Sequence, residues 1–175
     1  MSDTNVQDRL QRRFNRWDND HSGVLEKSDF EREADDIAER MGERPNSQRA
    51  TQLKKALTGM YDDIARDGGG GSSSAVSWEQ FQKAAQKWMA SDERVLRDHL
   101  RPMVQAVVGM VDRDGSGTID RDEFVAWISA IGAGEGQASD AFDTIDTDGD
   151  GSLSVDEVLQ ACVDFHLGRT DFELL

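Results

Sequence analysis

Apolar residues recur along most of the chain at steps of three and four positions, and strand-like alternation is nearly absent. Such steps place apolar side chains on one face of an α-helix. The first of these stripes contains Val6, Leu10, Phe14 and Trp17, and the last contains Val158, Cys162 and Phe165. The pattern predicts about eight helices joined by polar loops, and therefore an all-α fold.

Proline and glycine mark several boundaries between these helices. Pro102 predicts that residues 92–101 and the following helix are either separate or kinked, because proline lacks the N–H that a helix interior uses. Gly132-Ala133-Gly134 is predicted to end the sixth helix. The run 68–74 contains only glycine and serine, which is typical of a flexible loop.

Three polar loops between the predicted helices share one twelve-residue template, at 18–29, 112–123 and 146–157. Each has oxygen-bearing side chains at positions 1, 3 and 5, glycine at position 6, an aliphatic residue at position 8 and an acid at position 12. A large hard cation takes six to eight oxygen ligands at about 2.3–2.6 Å, and alternate residues of a tight turn supply them. Glycine permits the sharp bend at position 6, and position 7 contributes only its backbone carbonyl.

The template therefore predicts three Ca²⁺ sites in these loops. Their ligands, at positions 1, 3, 5, 7 and 12, are Asp18, Asp20, Ser22, Val24 and Asp29, then Asp112, Asp114, Ser116, Thr118 and Glu123, then Asp146, Asp148, Asp150, Ser152 and Glu157.

The three predicted sites differ in their closing residue. The 146–157 loop has four carboxylates with a glutamate at position 12, so we expect it to bind strongly. The 18–29 loop ends in Asp29, whose side chain is one methylene shorter and closes less readily with both oxygens. We expect this loop to bind Ca²⁺ more weakly or with more Mg²⁺ competition, with Glu26 placed to compensate.

A fourth loop is expected between the helix that ends near Ile64 and the helix that starts at Trp78. Counting forward from Ile64 starts this loop at Ala65, whereas counting backward from Val76 as position 8 starts it at Gly69. Neither start is acidic, and position 12 is Gln80. We interpret this loop as degenerate and ion-free, with residual carboxylates at Asp62, Asp63 and Asp67.

Helix–loop–helix units with these loops identify the chain as a member of the EF-hand superfamily. The uneven loop spacing, the ion-free second hand and Asp29 at position 12 resemble the sarcoplasmic calcium-binding proteins, in particular their bacterial members. Segments that carry the resemblance are LQRRFNRWDNDHSGVLEKSDFEREADDIAE, LRPMVQAVVGMVDRDGSGTIDRDEFVAWISAIG and VDFHLGRTDFELL. The resemblance implies four hands in two pairs, at 1–90 and at 91–175 with the tail, packed into one compact globule with ions at hands one, three and four.

Charge restricts the partners. The formal net charge of −15 disfavours nucleic acid and anionic membrane surfaces, which would repel the chain, and favours cations. The N-terminus shows no signal-peptide pattern, and the single Cys162 predicts a buried, inert thiol in a reducing compartment, hence a cytoplasmic protein. We expect a monomer and no enzymatic activity, since His21, His99 and His166 are isolated and no nucleophile motif is present.

Two roles remain open for such a protein. A calcium sensor opens on binding Ca²⁺ and presents a methionine-rich groove to a target. Here the methionines are scattered and bulky aromatic residues dominate the predicted inner faces, which favours an intracellular Ca²⁺ buffer or transporter. The terminal segment 171–175 either fills a cleft between the lobes or is frayed.

Overall fold

A computed structural model describes residues 3–71, 75–130, 135–170 and 174 of the 175-residue chain. Within these ranges the all-α prediction is confirmed, with helices in pairs around short loops. The helices are α1 (Asp3–Trp17), α2 (Lys27–Arg40), α3 (Gln48–Asp67), α4 (Trp78–Ala90), α5 (Glu93–Val111), α6 (Arg121–Ala130), α7 (Glu135–Ile145) and α8 (Val155–His166). We call the four successive helix pairs with their loops hands 1 to 4.

Two short antiparallel ribbons join the hands in pairs. The strands are β1 (Val24–Leu25), β2 (Val76–Ser77), β3 (Ile119–Asp120) and β4 (Ser152–Leu153), and β1 pairs with β2 and β3 with β4. In each ribbon the two position-8 residues face each other, Leu25 opposite Val76 and Ile119 opposite Leu153. Ribbon pairing therefore sets the register of the loops against one another.

The core is formed by the apolar stripes that the sequence predicts. Phe14 and Trp17 on α1 are 3% and 6% exposed, and Phe14 meets Trp78 edge to face with 5.5 Å between ring centroids. In the other hand pair, Phe124 contacts Phe142 in the same way at 5.6 Å. Aromatic packing of this kind anchors the helices that enter and leave each loop.

Pro102 lies inside α5, which runs as one helix from Glu93 to Val111. The sequence left open whether two helices or one kinked helix occur here, and the structure has a single α5. Proline still removes one i→i−4 hydrogen bond, but Pro102 is exposed, so water can satisfy the freed carbonyl. The predicted helix stop at Gly132-Ala133-Gly134 lies outside the described residues.

Of the terminal segment 171–175, only Leu174 is described. It is 3% exposed, belongs to the hydrophobic core and lines a small cavity together with Trp17, Leu57, Met103 and Trp127. These neighbours come from both hand pairs, so Leu174 fills space between them. This placement fits the cleft-filling alternative.

None of the helices within the described ranges is long and apolar enough to cross a membrane.

Candidate metal centres

Each of the three predicted loops turns at its sixth residue through a left-handed backbone conformation. The φ angles are +82° at Gly23, +87° at Gly117 and +85° at Gly151. A side chain is rarely tolerated at such angles, so glycine is required where the template places it. At position 4 the 112–123 and 146–157 loops also have glycine, whereas the 18–29 loop holds His21 at φ +56°.

The 112–123 loop brings three of its predicted ligands together. Asp112, Asp114 and Glu123 each offer a carboxylate oxygen within 4.8 Å of the others. Asp112 accepts the N–H groups of Gly115 and Gly117, at 2.8 and 2.9 Å, which fixes its carboxylate toward the loop centre. Glu123 accepts the N–H groups of Arg113 and Asp120. Ser116 Oγ lies at the loop rim, 3.2 Å from the carbonyl oxygen of Thr118.

The 146–157 loop repeats this arrangement with Asp146, Asp148 and Glu157, whose carboxylate oxygens also lie within 4.8 Å of one another. Glu157 Oε2 accepts from the N–H of Ser154 at 2.9 Å, and Oε1 accepts from the N–H of Thr147 at the same distance. Asp150 is outside this cluster and accepts the N–H and hydroxyl of Ser152.

The 18–29 loop positions its ligands less convergently. Asp18 is 6% exposed and accepts the N–H groups of Ser22 and Gly23 at 2.9 Å. The bond from the position-6 glycine recurs at Asp112 and Asp146. Among the residues the structure describes, however, Asp18, Asp20 and Asp29 do not form a carboxylate cluster of the kind found in the other two loops. Arg32 Nη2 instead donates to both Asp20 Oδ2, at 3.3 Å, and Asp29 Oδ1. Glu26 is exposed, and its N–H donates to Asp29 Oδ2 at 2.7 Å.

Hand 2 has the same helices, loop and ribbon strand as the other hands, but its loop carries different side chains. Strand β2 places Val76 at position 8, as the backward count predicts, and Gln80 Oε1 accepts the N–H of Ser77 at 2.9 Å. Gln80 thus caps α4 as Glu157 caps α8, but without a charge.

The three residual carboxylates near hand 2 are each engaged by a different cation. Asp62 pairs with Lys27 at 2.9 Å, and Asp63 pairs with Arg66 at 2.6 Å. Asp67 accepts from Lys87 at 2.7 Å and from the Trp88 indole N–H at 2.6 Å. Arg66 also approaches Asp67, and His99 contacts both Asp63 and Asp67. All three carboxylates are thus engaged within the protein, which supports the interpretation of hand 2 as ion-free.

Hydrogen bonding keeps several loop carboxylates ionised. The N–H and hydroxyl of Ser116 lower the pKa of Asp114, and the hydroxyl of Ser22 does the same for Asp20. Burial alone would raise the pKa of Glu157, but donors from Ser154 and Thr147 outweigh it, so that pKa is lowered. These groups carry negative charge at neutral pH, as cation binding requires.

The donor sets of the three loops contain carboxylate, hydroxyl and carbonyl oxygens only. Hard divalent cations such as Ca²⁺ and Mg²⁺ prefer oxygen ligands, so the residues present fit such an ion. Cys162 is buried, and burial raises the pKa of its thiol to about 12, so it is not a thiolate ligand or nucleophile at neutral pH.

The sequence reasoning missed Arg32, which contacts two predicted ligands. The signal was available, because Arg32 lies three residues after Asp29 on the same helix face. It also missed the hydroxyl of Thr147, which lies 3.1 Å from Glu157 Oε1.

Comparison with known protein families agrees with the helix–loop–helix geometry of the four hands. Residues 7–129 match the family model of the EF-hand domain pair, and residues 116–164 match a second model with that description. Calerythrin from Saccharopolyspora erythraea is 42% identical over 180 residues, which cover 100% of this chain and 99% of that protein.

Solved structures share the fold. A Streptomyces coelicolor calcium-binding protein superposes with a TM-score of 0.72 at 26% identity, covering 93% of this chain and 98% of that one. Calcium-loaded apo-aequorin from Aequorea victoria superposes with a TM-score of 0.77 at 19% identity, covering 94% of this chain and 92% of its own.

Proposed function

This chain belongs to the EF-hand family of calcium-binding proteins, and we propose that it acts as a Ca²⁺ buffer or transporter with three ion sites. The sites are the 18–29, 112–123 and 146–157 loops, with the ligands at positions 1, 3, 5, 7 and 12 that the sequence predicts. A bound divalent cation would neutralise carboxylates that otherwise repel one another across each loop.

The proposal of three ions is supported by loop geometry. Two loops converge their carboxylates within 4.8 Å, and the 18–29 loop shares their glycine bend and their Asx-type hydrogen bonds at position 1. In hand 2 the corresponding closing residue is the neutral Gln80, and the nearby acids are paired with cations. Mg²⁺ is the expected competitor, above all at the 18–29 loop.

The observation that carries the buffer role is the position of Leu174 between the two hand pairs. Its side chain is buried beside Trp17, Leu57, Met103 and Trp127, in space that a sensor would offer to a target helix. Rigid aromatic contacts continue from there, with Trp17 to Phe30 at 4.9 Å between ring centroids. A core that already contains Leu174 of the same chain favours ion storage over target binding.

A sensor role is the alternative. It is favoured by the Streptomyces coelicolor relative, whose structure is described as the basis of prokaryotic calcium-mediated regulation. In this case Ca²⁺ would release Leu174 and open an apolar surface for a target protein. We further propose that the chain is a cytoplasmic monomer, supported by its single, buried thiol.

Calorimetric titration with Ca²⁺ in millimolar Mg²⁺ tests the buffer role. We expect three ions per chain, with dissociation constants of about 10⁻⁹–10⁻⁸ M and exchange with Mg²⁺, whereas a sensor would fall at about 10⁻⁷–10⁻⁵ M. Hydrophobic dye fluorescence, measured in parallel, should not rise when Ca²⁺ is added. Leu174→Asp provides the positive control, because a charged residue in that cavity should expose the core. A Ca²⁺-dependent rise in the unmodified protein would favour the sensor.

A further inference from the structure

A positively charged side chain, Arg32, contacts the predicted ligands of the 18–29 loop. Among the described residues, the predicted ligands of the other two loops form no ion pair with an arginine or lysine. Arg32 lies three residues beyond the closing position of its loop. The equivalent positions are Ala126 in hand 3 and Gln160 in hand 4, neither of which carries a charge. Hand 1 is therefore the one hand of these three with a cationic side chain at this place.

The guanidinium of Arg32 bridges two predicted ligands of the same ion. Its Nη2 contacts Asp20 Oδ2 at 3.3 Å and also Asp29 Oδ1, so it joins positions 3 and 12 of the loop. Charge-assisted contacts of this kind are stronger than neutral hydrogen bonds. In the loops without such an arginine, the carboxylates of positions 1, 3 and 12 converge within 4.8 Å, and in the 18–29 loop they do not.

Burial makes the contact with Asp29 the more important of the two. The Asp29 side chain has no exposed surface, while that of Arg32 is 45% exposed. An unpaired carboxylate at this depth is costly, so a cation beside Asp29 stabilises the ion-free loop. Because Arg32 is on the solvent side, it can swing away without disturbing the core.

We propose that Arg32 sets the affinity of the 18–29 loop by acting as an internal competitor for the divalent cation. In the ion-free protein its single positive charge offsets part of the negative charge of Asp20 and Asp29, and an incoming ion must displace it from both carboxylates. The 18–29 loop consequently binds more weakly than the other two and fills last as Ca²⁺ rises. This inference rests on the proposed function, since it requires the loop to bind an ion.

The matched pair Arg32→Gln and Arg40→Gln tests the proposal. Arg32→Gln installs the residue type that hand 4 has at this position, and Arg40→Gln removes one positive charge from the same helix away from the loop. Both are made in a background that removes the position-1 and position-12 carboxylates of each of the other two loops, by Asp112→Ala with Glu123→Gln and Asp146→Ala with Glu157→Gln. Calorimetry and fluorescence of Trp17, which adjoins Asp18, then report the 18–29 loop alone.

We expect Arg32→Gln to tighten Ca²⁺ binding about threefold to tenfold, and Arg40→Gln to change it less than twofold. Part of the difference should persist at about 1 M salt, because the Asp29 carboxylate is fully covered and its contact with Arg32 is screened less than the exposed contact with Asp20. A second readout is stability. Arg32→Gln should lower the Tm of the chelator-treated protein more than that of the Ca²⁺-loaded protein, which a merely structural role would not do.

Each remaining outcome decides the matter. If both variants tighten Ca²⁺ binding equally, the cause is a long-range charge effect. If Arg32→Gln leaves Ca²⁺ binding unchanged, Arg32 does not compete with the ion. Either result overturns the proposal for Arg32 and leaves the proposal of three ion sites intact. If the loop binds no ion in any variant, both proposals fail. If only Arg32→Gln binds an ion, the competitor role is upheld and the three-site count for the unmodified protein is wrong.

Discussion

Hands 1 and 2 are joined by a two-stranded ribbon of the same kind as the one that joins hands 3 and 4. Both loops of the second pair have an acidic ligand set, whereas in the first pair only the loop of hand 1 has one. In both ribbons the position-8 residues face each other, and in all four hands the position-12 side chain accepts the backbone N–H of position 9. Pairing thus depends on an apolar residue and a capping acceptor. Ion binding depends on charge, and hand 2 shows that the two can be separated.

The largest expected effect comes from exchanging the closing residues of hands 4 and 2. Glu157→Gln should keep the cap on α8, because Gln80 already caps α4 through its amide oxygen. It should weaken Ca²⁺ binding at the 146–157 loop about 100-fold, since one charge and one of two closing oxygens are lost. Calorimetry measures the loss, and circular dichroism checks that the helices remain.

The reverse exchange, Gln80→Glu, is the matched control. It should leave the number of bound ions unchanged, because the rest of the hand 2 loop has no ligand set and Asp62, Asp63 and Asp67 are paired elsewhere. A new ion in Gln80→Glu would show that the closing residue alone decides whether a hand binds metal.

Close packing holds the hand 2 loop against α4 without an ion, and Gly68 tests this. A Cβ at this glycine would lie 2.6 Å from the backbone oxygen of Gln80, although its φ is ordinary. Gly68→Ala should therefore cost about 2 kcal/mol of unfolding free energy in urea. Gly59→Ala is the control, because its Cβ would meet nothing within 4 Å and alanine favours the helix, so stability should rise by up to about 1 kcal/mol. Equal effects of the two would contradict the packing argument.

Hand 2 also shows where sequence reasoning reaches its limit. Periodicity predicts its helices, and the template identifies the three acidic loops, because both depend on residues close in sequence. The two counts for hand 2 disagree, since α3 continues to Asp67 and extra glycines follow it. Only the pairing of Val76 with Leu25, far away in sequence, resolves the register. The Leu174 position depends on long-range packing in the same way.

His166 lines a small cavity together with Leu10 of hand 1 and Leu96 of hand 3, and it is expected to make the stability of the protein depend on pH. Burial, with the positive charges of Arg13 and Arg9 nearby, lowers the pKa of His166 to about 4, although its Nδ1 donates to the carbonyl of Cys162 at 2.7 Å. In the unfolded chain His166 takes up a proton near pH 6.5, whereas in the folded protein it stays neutral down to about pH 4. The contribution of neutral His166 to the free energy of unfolding is therefore complete above pH 6.5 and is lost as the pH falls toward 4.

Replacing His166 should remove this part of the acid sensitivity. Between pH 7.5 and 5, the chelator-treated His166→Gln protein should lose about 1 kcal/mol less unfolding free energy than the parent, since His166 is only half-buried. Urea unfolding at both pH values measures it, and the exposed His21→Asn serves as control. The same pH dependence in both variants and the parent would exclude His166 as the source.

The smallest expected effect concerns ion selectivity at the closing position of the 18–29 loop. Asp29 is fully covered and holds the Glu26 N–H at 2.7 Å, so its short side chain has little freedom to close around an ion with both oxygens. Mg²⁺ demands a small six-coordinate shell, whereas Ca²⁺ accepts a larger one. Asp29→Glu should therefore raise the selectivity of this loop for Ca²⁺ over Mg²⁺ about threefold, as measured by Ca²⁺ calorimetry with and without millimolar Mg²⁺.

The control is Glu123→Asp, which should lower the selectivity of the 112–123 loop for Ca²⁺ over Mg²⁺. If Mg²⁺ competes equally in Asp29→Glu and the parent, side-chain length at position 12 is not what distinguishes the hands, and the contact of Arg32 with Asp29 would have to account for the difference alone.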